Sequence, residues 1–469
     1  MLYPSPYRAG MSSLGYQWIS HLLAEAGFGV ERAFLPDDVA VWRKSKRPLI
    51  TYETETPLGN FEIIGVSLAY ELELAGLIQC LELAGIPPLR RDRGPHHPQI
   101  LLGGPLTFSN PRTAFSFADA VLLGEADDVV VPAVEAFFDG DRKAWLDQIE
   151  KLPGGVVPER SPGAFGWGAS LPVIAKASDR TLPAVSRILA PEAELSDMLL
   201  IEGERGCHRQ CTFCVMRRST NGGMRLVTPE HLLSLVPDEA LRVGLVGAAI
   251  SDHPKLVELL EEIVGGGRGV GISSLRADRI ARKPRIASLL RKGGYSTLTV
   301  ASDAASQRLR RQIAKGTVER HLVACAEIAR AEKYRVLKIY MMVGVPGETD
   351  EDIDELIDFT KSLSAIHPVA LGIAPFCPKV NTPLDHAPFA GISTVNSRLK
   401  RLQRGLKGKA DVRPTSAKWA WVEYKLAVGG PETGEAVLEA VRAGGRFSDY
   451  KRVLSAIPDP RSVTMSVSA

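Results

Sequence analysis

With 469 residues the chain is long enough for roughly two or three domains, and a hydrophobic share of 45% is that of an ordinary globular protein. Fifty-seven Lys and Arg against 54 Asp and Glu leave a formal charge of +3, too close to neutral to mark a general nucleic-acid binder. No basic start runs into a long apolar core, and no apolar stretch is long enough to span a bilayer, so the expectation is a cytoplasmic protein with no membrane partner.

The first 150 residues alternate strand and helix patterns. Met1-Leu2-Tyr3 reads as a short strand, 12–27 as a helical stretch ending near Gly27, and 30–35 as a second strand. The strongly apolar run 61–68 is a strand, followed by a helix over 71–84. Residues 99–102 end at Gly103-Gly104-Pro105, and 118–123 lead through Gly124-Glu125 into a helix over 127–138. This alternation predicts a parallel sheet covered on both faces, a five-strand flavodoxin-like domain over 1–150. Ligands of such domains bind beyond the carboxyl ends of the strands, where the turns Pro4-Ser5-Pro6-Tyr7, Ser67-Leu68 and Gly103-Gly104 fall.

Residues 151–195 are rich in Pro, Gly and Ser and read as a connector. Alternation resumes over 196–395, with candidate strands at 198–202, 242–246, 270–274, 296–301, 337–343 and 370–374. Helical stretches separate them around 229–235, 254–264, 280–291, 305–314, 319–332 and 350–363. Six such units predict a partial, open (β/α)6 TIM-like barrel. Leu298 and Val300 share one strand face, with Thr297, Thr299 and Asp303 on the other. Leu337, Ile339, Met341 and Val343 likewise oppose Lys338, Tyr340 and Met342. Apolar faces meet outer helices and polar groups point inward. A closed barrel fills its interior with branched apolar side chains, so a polar interior fits an open barrel that holds a cofactor.

Residues 396–469 read as a helical C-terminal part. Arg398, Lys400, Arg401, Arg404, Lys407, Lys409 and Arg413 crowd its start, either as a solvated helix face or as a contact for RNA or another anion.

Six cysteines in a chain of this size do not make a disulfide framework. Cys80, Cys325 and Cys377 are scattered and read as packing residues. Cys207, Cys211 and Cys214 cluster in Gly206-Cys207-His208-Arg209-Gln210-Cys211-Thr212-Phe213-Cys214. Thiolates suit iron–sulfur clusters and zinc. Three cysteines on a four-iron, four-sulfur cluster leave one iron open for a small molecule. Structural zinc, with His208 as a fourth ligand, normally draws on two separated ligand pairs rather than one short loop.

The run Cys207-x-x-x-Cys211-x-Phe213-Cys214, after a strand that opens a barrel, resembles the signature of the radical S-adenosylmethionine (SAM) superfamily. The resemblance implies a 4Fe-4S cluster on Cys207, Cys211 and Cys214, with SAM chelating the open iron and Phe213 packed near its adenine. An electron from the cluster then cleaves a carbon–sulfur bond to give a 5′-deoxyadenosyl radical. Relatives often carry Gly-Gly-Glu after the second strand for the SAM amino group. Here Val246-Gly247-Ala248-Ala249 has no Glu, and backbone carbonyls at Gly247 and Ala248 are the implied substitute. Ser274 and Arg276 are placed like residues that meet the ribose or carboxylate of SAM. Asp303 matches an acidic position for ribose hydroxyls, and a helix N-cap is its plain alternative; for Arg276 that alternative is a rim ion pair.

The turns 343–349 and 374–383, together with the first domain, resemble the subgroup with an N-terminal cobalamin-binding-like domain. The Asp-x-His-x-x-Gly motif whose His ligates cobalt is missing after Tyr3, so cobalamin is either bound without a protein His or lost. The leading reading is a radical SAM enzyme, with methyl transfer among its reactions and a reductase or other electron donor as partner. Methylthio transfer fits less well, because relatives doing it need a second cluster and Cys80 is the only cysteine before the motif. A non-catalytic iron–sulfur protein and an RNA-modifying or RNA-binding protein are the alternatives. The substrate stays open.

Overall fold

The structure, a computed structural model, describes residues 1–160, 173–216 and 223–461. It divides into two compact units: Met1–Ser196 with Lys379–Asn381 and Lys425–Ala469, and Asp197–Pro378 with Thr382–Tyr424.

In the first unit β1 (Leu2–Tyr3), β2 (Ala33–Phe34), β3 (Ile63–Ser67), β4 (Gln99–Gly103), β5 (Ala120–Leu122) and β6 (Gly155–Val156) form one sheet in the order β2-β1-β3-β4-β5-β6. The first five are parallel and β6 runs antiparallel to β5. The order 2-1-3-4-5 is flavodoxin-like, as the alternation predicts. The helix Leu14–Glu25 starts at Ser13, whose Oγ accepts the Tyr16 N–H at 3.4 Å. The helix Glu73–Leu83 buries Leu74, Leu77, Ile78 and Leu81 completely, the spacing of one helical face.

The helix Pro431–Arg442 also belongs to this unit, packed on residues 111–117 and on Glu73–Leu83. Gly434 permits the approach, since a Cβ there would overlap the Thr113 carbonyl oxygen. Arg91 grips Glu435 with two hydrogen bonds of 2.7 and 2.8 Å, and the Asn110 amide donates to the carbonyls of Leu426, Ala427 and Gly429.

The second unit contains β7 (Leu199–Glu202), β8 (Glu204–Arg205), β9 (Arg225–Leu226), β10 (Arg242–Val246) and β11 (Gly269–Ile272). It continues with β12 (Leu275–Arg276), β13 (Thr297–Ala301), β14 (Val336–Val343), β15 (Val369–Pro375) and β16 (Asp411–Pro414). Parallel strands form two sheets, β11-β10-β7 and β12-β13-β14-β15-β16, and β8 pairs antiparallel with β9. The third expected strand is interrupted at Ser273-Ser274 into β11 and β12, and the barrel is not closed. The helix expected over 280–291 is two, Ala277–Arg282 and Arg285–Lys292, because Pro284 forbids a continuous ladder. Beside the expected C-terminal helices, residues 411–414 add the edge strand β16.

Strand parity follows the sequence pattern. Leu298, Val300, Leu337, Ile339, Met341 and Val343 are buried, while Thr297, Thr299, Lys338 and Met342 are half-buried and Tyr340 is exposed. On that polar face Lys338 Nζ lies 3.1 Å from the Tyr340 hydroxyl and 4.7 Å from its ring centre. Among the described residues no helix is long and apolar enough to cross a membrane.

Candidate functional site

The cysteine loop leaves the carboxyl end of β7 through β8. Cys211 is buried, and Cys207 and Cys214 are half-buried. Backbone bonds fix the loop: the Thr212 N–H donates to Ile313 O at 3.1 Å, and the Leu384 N–H donates to Thr212 O at 3.3 Å. Within the loop, the Cys214 N–H reaches Cys211 O at 3.3 Å, and the Arg209 N–H points at the Cys207 sulfur at 3.4 Å.

A charged knot adds to this. Arg209 binds Asp252 with two bonds of 2.7 and 2.8 Å, and Arg279 donates to the same carboxylate at 2.5 Å. Arg276 pairs with Asp278 at 3.0 Å beside it. Burial opposes ionisation of Asp252, but the hydrogen bonds from Arg209 and Arg279 and the nearby Arg276 charge override it and hold the carboxyl at about 2. The cysteine loop is thus tied by charge to the ends of β10 and β12.

Burial pushes the thiols of Cys207 and Cys214 up, each reinforced by the neighbouring cysteines and opposed by a backbone N–H. Thiolates at these positions call for a strong local positive charge, which an iron cluster would supply. Among the described residues no three His, Cys, Asp or Glu side chains converge on one point. A four-iron cluster does not ask for that, since each cysteine binds a different iron. Three sulfurs on one short loop, each within electrostatic reach of the others, are a donor set that fits such a cluster.

Phe213 is half-buried within the loop, directly before Cys214. Gly247 and Ala248 follow β10, and Ala248 is exposed. Ser274 is exposed at the break between β11 and β12. Arg276 is buried; besides Asp278, its guanidinium meets the Lys315 carbonyl at 3.2 Å, so the ion pair weighed from sequence is formed. Asp303 lies just past β13 with a left-handed backbone (φ 60°) and pairs with Lys315. It is not a helix cap: Ser306 caps Gln307–Gln312, its Oγ accepting the Leu309 N–H at 3.2 Å.

Sequence reasoning missed Glu204, Arg209, Asp252, Arg279 and Lys315. Glu204 and Arg209 flank Cys207 and carried one signal, charged residues in a loop that must pack against strand ends. Asp252, Arg279 and Lys315 come from turns and helices 40 or more positions away and leave no local trace.

The family comparisons agree with this geometry. Residues 15–158 match the family described as radical SAM proteins, N-terminal, and residues 201–360 match the radical SAM superfamily. A protein of Methanocaldococcus jannaschii, named "Uncharacterized protein MJ0966", is 26% identical over 422 residues, 87% of this chain and 83% of its own. The ribosomal protein uS12 methylthiotransferase RimO of Saccharopolyspora erythraea is 27% identical over 234 residues, 45% of this chain and 46% of its own. The solved cobalamin-dependent SAM radical enzyme OxsB, with aqua-cobalamin and SAM bound, superposes with a TM-score of 0.52 at 14% identity. That match covers 87% of this chain and 56% of OxsB, and it speaks to the fold alone. The chain belongs to the radical SAM superfamily. It is a radical SAM enzyme, of a family whose cofactors are a 4Fe-4S cluster and SAM.

Proposed function

We propose that Cys207, Cys211 and Cys214 hold three irons of a 4Fe-4S cluster and that SAM binds at the fourth, to start radical chemistry that ends in methyl transfer to a substrate still to be identified. The observation that carries this is the cysteine loop itself, three sulfurs pinned at the carboxyl end of an open barrel by backbone bonds to Ile313 and Leu384 and by the Arg209–Asp252 pair. When bound, the cluster supplies an open iron and the electron that cleaves a carbon–sulfur bond of SAM. The chain's part is to hold that site rigid and to line it. Phe213 offers an aromatic face beside the last cysteine, and Ser274 an exposed hydroxyl at the strand break. Lys315 neutralises Asp303, so ribose hydroxyls meeting Asp303 would find an ion pair rather than a bare carboxylate.

Anaerobic reconstitution with iron and sulfide, then SAM and reductant, tests the reading. 5′-Deoxyadenosine or another SAM-derived product is expected; a loaded cluster that turns over no SAM would sink it. Methyl transfer is favoured over methylthio transfer by Cys80, the only cysteine among the described residues of the first unit. It is fully buried and its thiol is pushed far up by burial, so that unit offers no ligand set for a second cluster.

Cobalamin has a fold to support it, but among the described residues of the first unit no histidine stands at the carboxyl ends of the strands. His21 lies mid-helix, 3.3 Å from Glu25 and 3.2 Å from Arg187, and His96 and His97 precede β4, away from the turns after β1, β3 and β4. At that carboxyl end Glu73 accepts the Ser5 hydroxyl and the Ala69 N–H. These residues do not fit a histidine-ligated cobalt. Cobalamin per chain, measured after growth with cobalamin, decides whether the first unit is a cofactor carrier or a scaffold.

RNA as the substrate class rests on the basic segment. There Arg398 is taken by Glu348 at 2.9 Å, Arg401 by Asp354 at 2.5 Å and Arg413 by Asp411 at 2.6 Å. Lys400, Arg404, Lys407 and Lys409 are exposed. A footprint of that size gives a salt slope of roughly −3 in a log–log plot of RNA affinity. A flat salt response, or affinity unchanged when these four are neutralised, would reject it.

A further inference from the structure

The polar face of β14 carries a cation without a counter-ion. Lys338 and Tyr340 alternate with the buried Leu337, Ile339 and Met341 on the middle strand of the sheet β12-β13-β14-β15-β16. Lys338 is half-buried, and among the described residues no carboxylate lies within ion-pairing distance of its Nζ. Asp303, the acid that follows β13, pairs with Lys315 instead. A charge drawn partly out of water with no opposite charge beside it is costly, and an aromatic ring offsets only part of that cost.

The neighbours of Lys338 hold it in place and add donors. Its Nζ donates to the Tyr340 hydroxyl at 3.1 Å and stands 4.7 Å from the ring centre. The Tyr340 oxygen accepts that bond, so its own O–H remains to donate. Across the sheet Thr299 on β13 is in register with Lys338, and its hydroxyl makes no hydrogen bond among the described residues. Opposite Tyr340 on β15 is Gly372, where a Cβ would come 2.8 Å from the ring Cδ1 and 3.5 Å from the Lys338 Cε. The bare strand at Gly372 is what gives the ring and the lysine stem their place.

This face is continuous with the surroundings of the cysteine loop. Cys211 Sγ lies 3.9 Å from the Ala314 carbonyl, and the Lys315 charge acts on Cys214. Asp303, the partner of Lys315, is tied to β14 on both sides: its N–H donates to Tyr340 O at 3.1 Å, and its carbonyl accepts the Met342 N–H at 3.3 Å. Lys338 stands two residues further along β14 from that rim, about 7 Å at strand spacing.

We propose that Lys338, Tyr340 and Thr299 form a subsite for an oxyanion of the substrate, a carboxylate or a phosphate monoester, so that the molecule acted on is an acid anchored on β14. The proposal rests on the reading that SAM-started chemistry takes place at the cysteine loop, and it names the substrate class of that site. Lys338 supplies the charge, and the two hydroxyls supply neutral donors. All three are binding residues.

The test is the rate of reductive methylation of each lysine, read by peptide mass spectrometry on the full chain with its cluster reconstituted anaerobically. The salts are sodium phosphate, acetate and chloride at equal ionic strength, with the exposed Lys407 and Lys409 as internal references. Phosphate or acetate is expected to slow Lys338 roughly threefold or more against chloride and to leave the references unchanged. Slowing by acetate alone supports a carboxylate, by phosphate alone a phosphate monoester, and by both an oxyanion of either kind. Equal rates in the three salts overturn the proposal, and so does equal slowing of the references. Tyr340→Phe keeps the ring and loses the hydroxyl, and it is expected to raise the anion concentration for half-protection roughly threefold to tenfold. If that variant fails to fold, the unaltered chain still answers. SAM alone protecting Lys338, with no further effect of the anions, would assign the lysine to SAM and overturn the substrate subsite. A reduced cluster whose electron paramagnetic resonance signal is unmoved by SAM would instead overturn the SAM reading, and the lysine rates do not depend on it.

Discussion

At the residue scale the cysteines sort by surroundings. Cys80 and Cys325 are fully buried, and burial pushes the Cys325 thiol up to about 12, so both are packing residues. Cys207→Ala, Cys211→Ala and Cys214→Ala are each expected to lose most of the bound iron and all SAM cleavage, as read by iron per chain and product formation. Cys325→Ala is expected to keep both and to lose about 1 kcal/mol of stability. Asp252 makes a pH prediction. Its carboxyl is depressed from 3.8 to about 2, so its contribution is complete above 3.8 and fades as pH falls toward 2. About 1 kcal/mol should go between pH 5 and pH 3, visible in urea unfolding, and Asp252→Asn should flatten that slope. A slope unchanged in the variant would place the acid sensitivity elsewhere. The cysteine loop is legible because its three cysteines are neighbours in the chain. Its fasteners were not, because Asp252 and Arg279 look like ordinary surface charges until the fold folds them inward.

At the element scale the alternating strands were read well. The faces of β13 and β14 sort as their sequences do, apolar residues buried and polar ones half-buried or exposed. The exceptions have causes. Pro284 divides one expected helix, and Asp411–Pro414 becomes a strand by pairing with β15 although its own sequence is charged and short. Edge strands of this kind are held by backbone bonds that carry no side-chain pattern. The basic run on Ile392–Gly405 reads from sequence either as a solvated helix face or as an anion contact, and in the structure its Arg398 and Arg401 answer carboxylates of the turn and helix over 348–354. The helix Pro431–Arg442 docks through Gly434, and Gly434→Ala forces a methyl into the Thr113 carbonyl. A loss of about 1–3 kcal/mol is expected, with faster proteolysis around 430–445. Wild-type protease resistance would show that the helix can shift without cost.

At the scale of the whole molecule the chain is discontinuous in space: its last described helices complete the first unit. Truncation after Gly430 should therefore raise hydrogen exchange in Glu73–Leu83 and residues 111–117 more than in β13 and β14. Equal change in both units would contradict that division.

The sequence by itself determined the class of each half, the clustering of Cys207, Cys211 and Cys214 and the apolar and polar faces of the barrel strands, since period-two patterning and short-range motifs are properties of neighbouring residues. Only the tertiary structure decided that Glu204 stands in the turn of Gly247, that Arg209 is clamped by Asp252, and that Pro431–Arg442 covers residues 111–117. Each is a hydrogen bond, ion pair or close approach between positions about 40 to 320 apart, and such contacts are fixed by where the chain returns in space, which leaves no periodic mark along it.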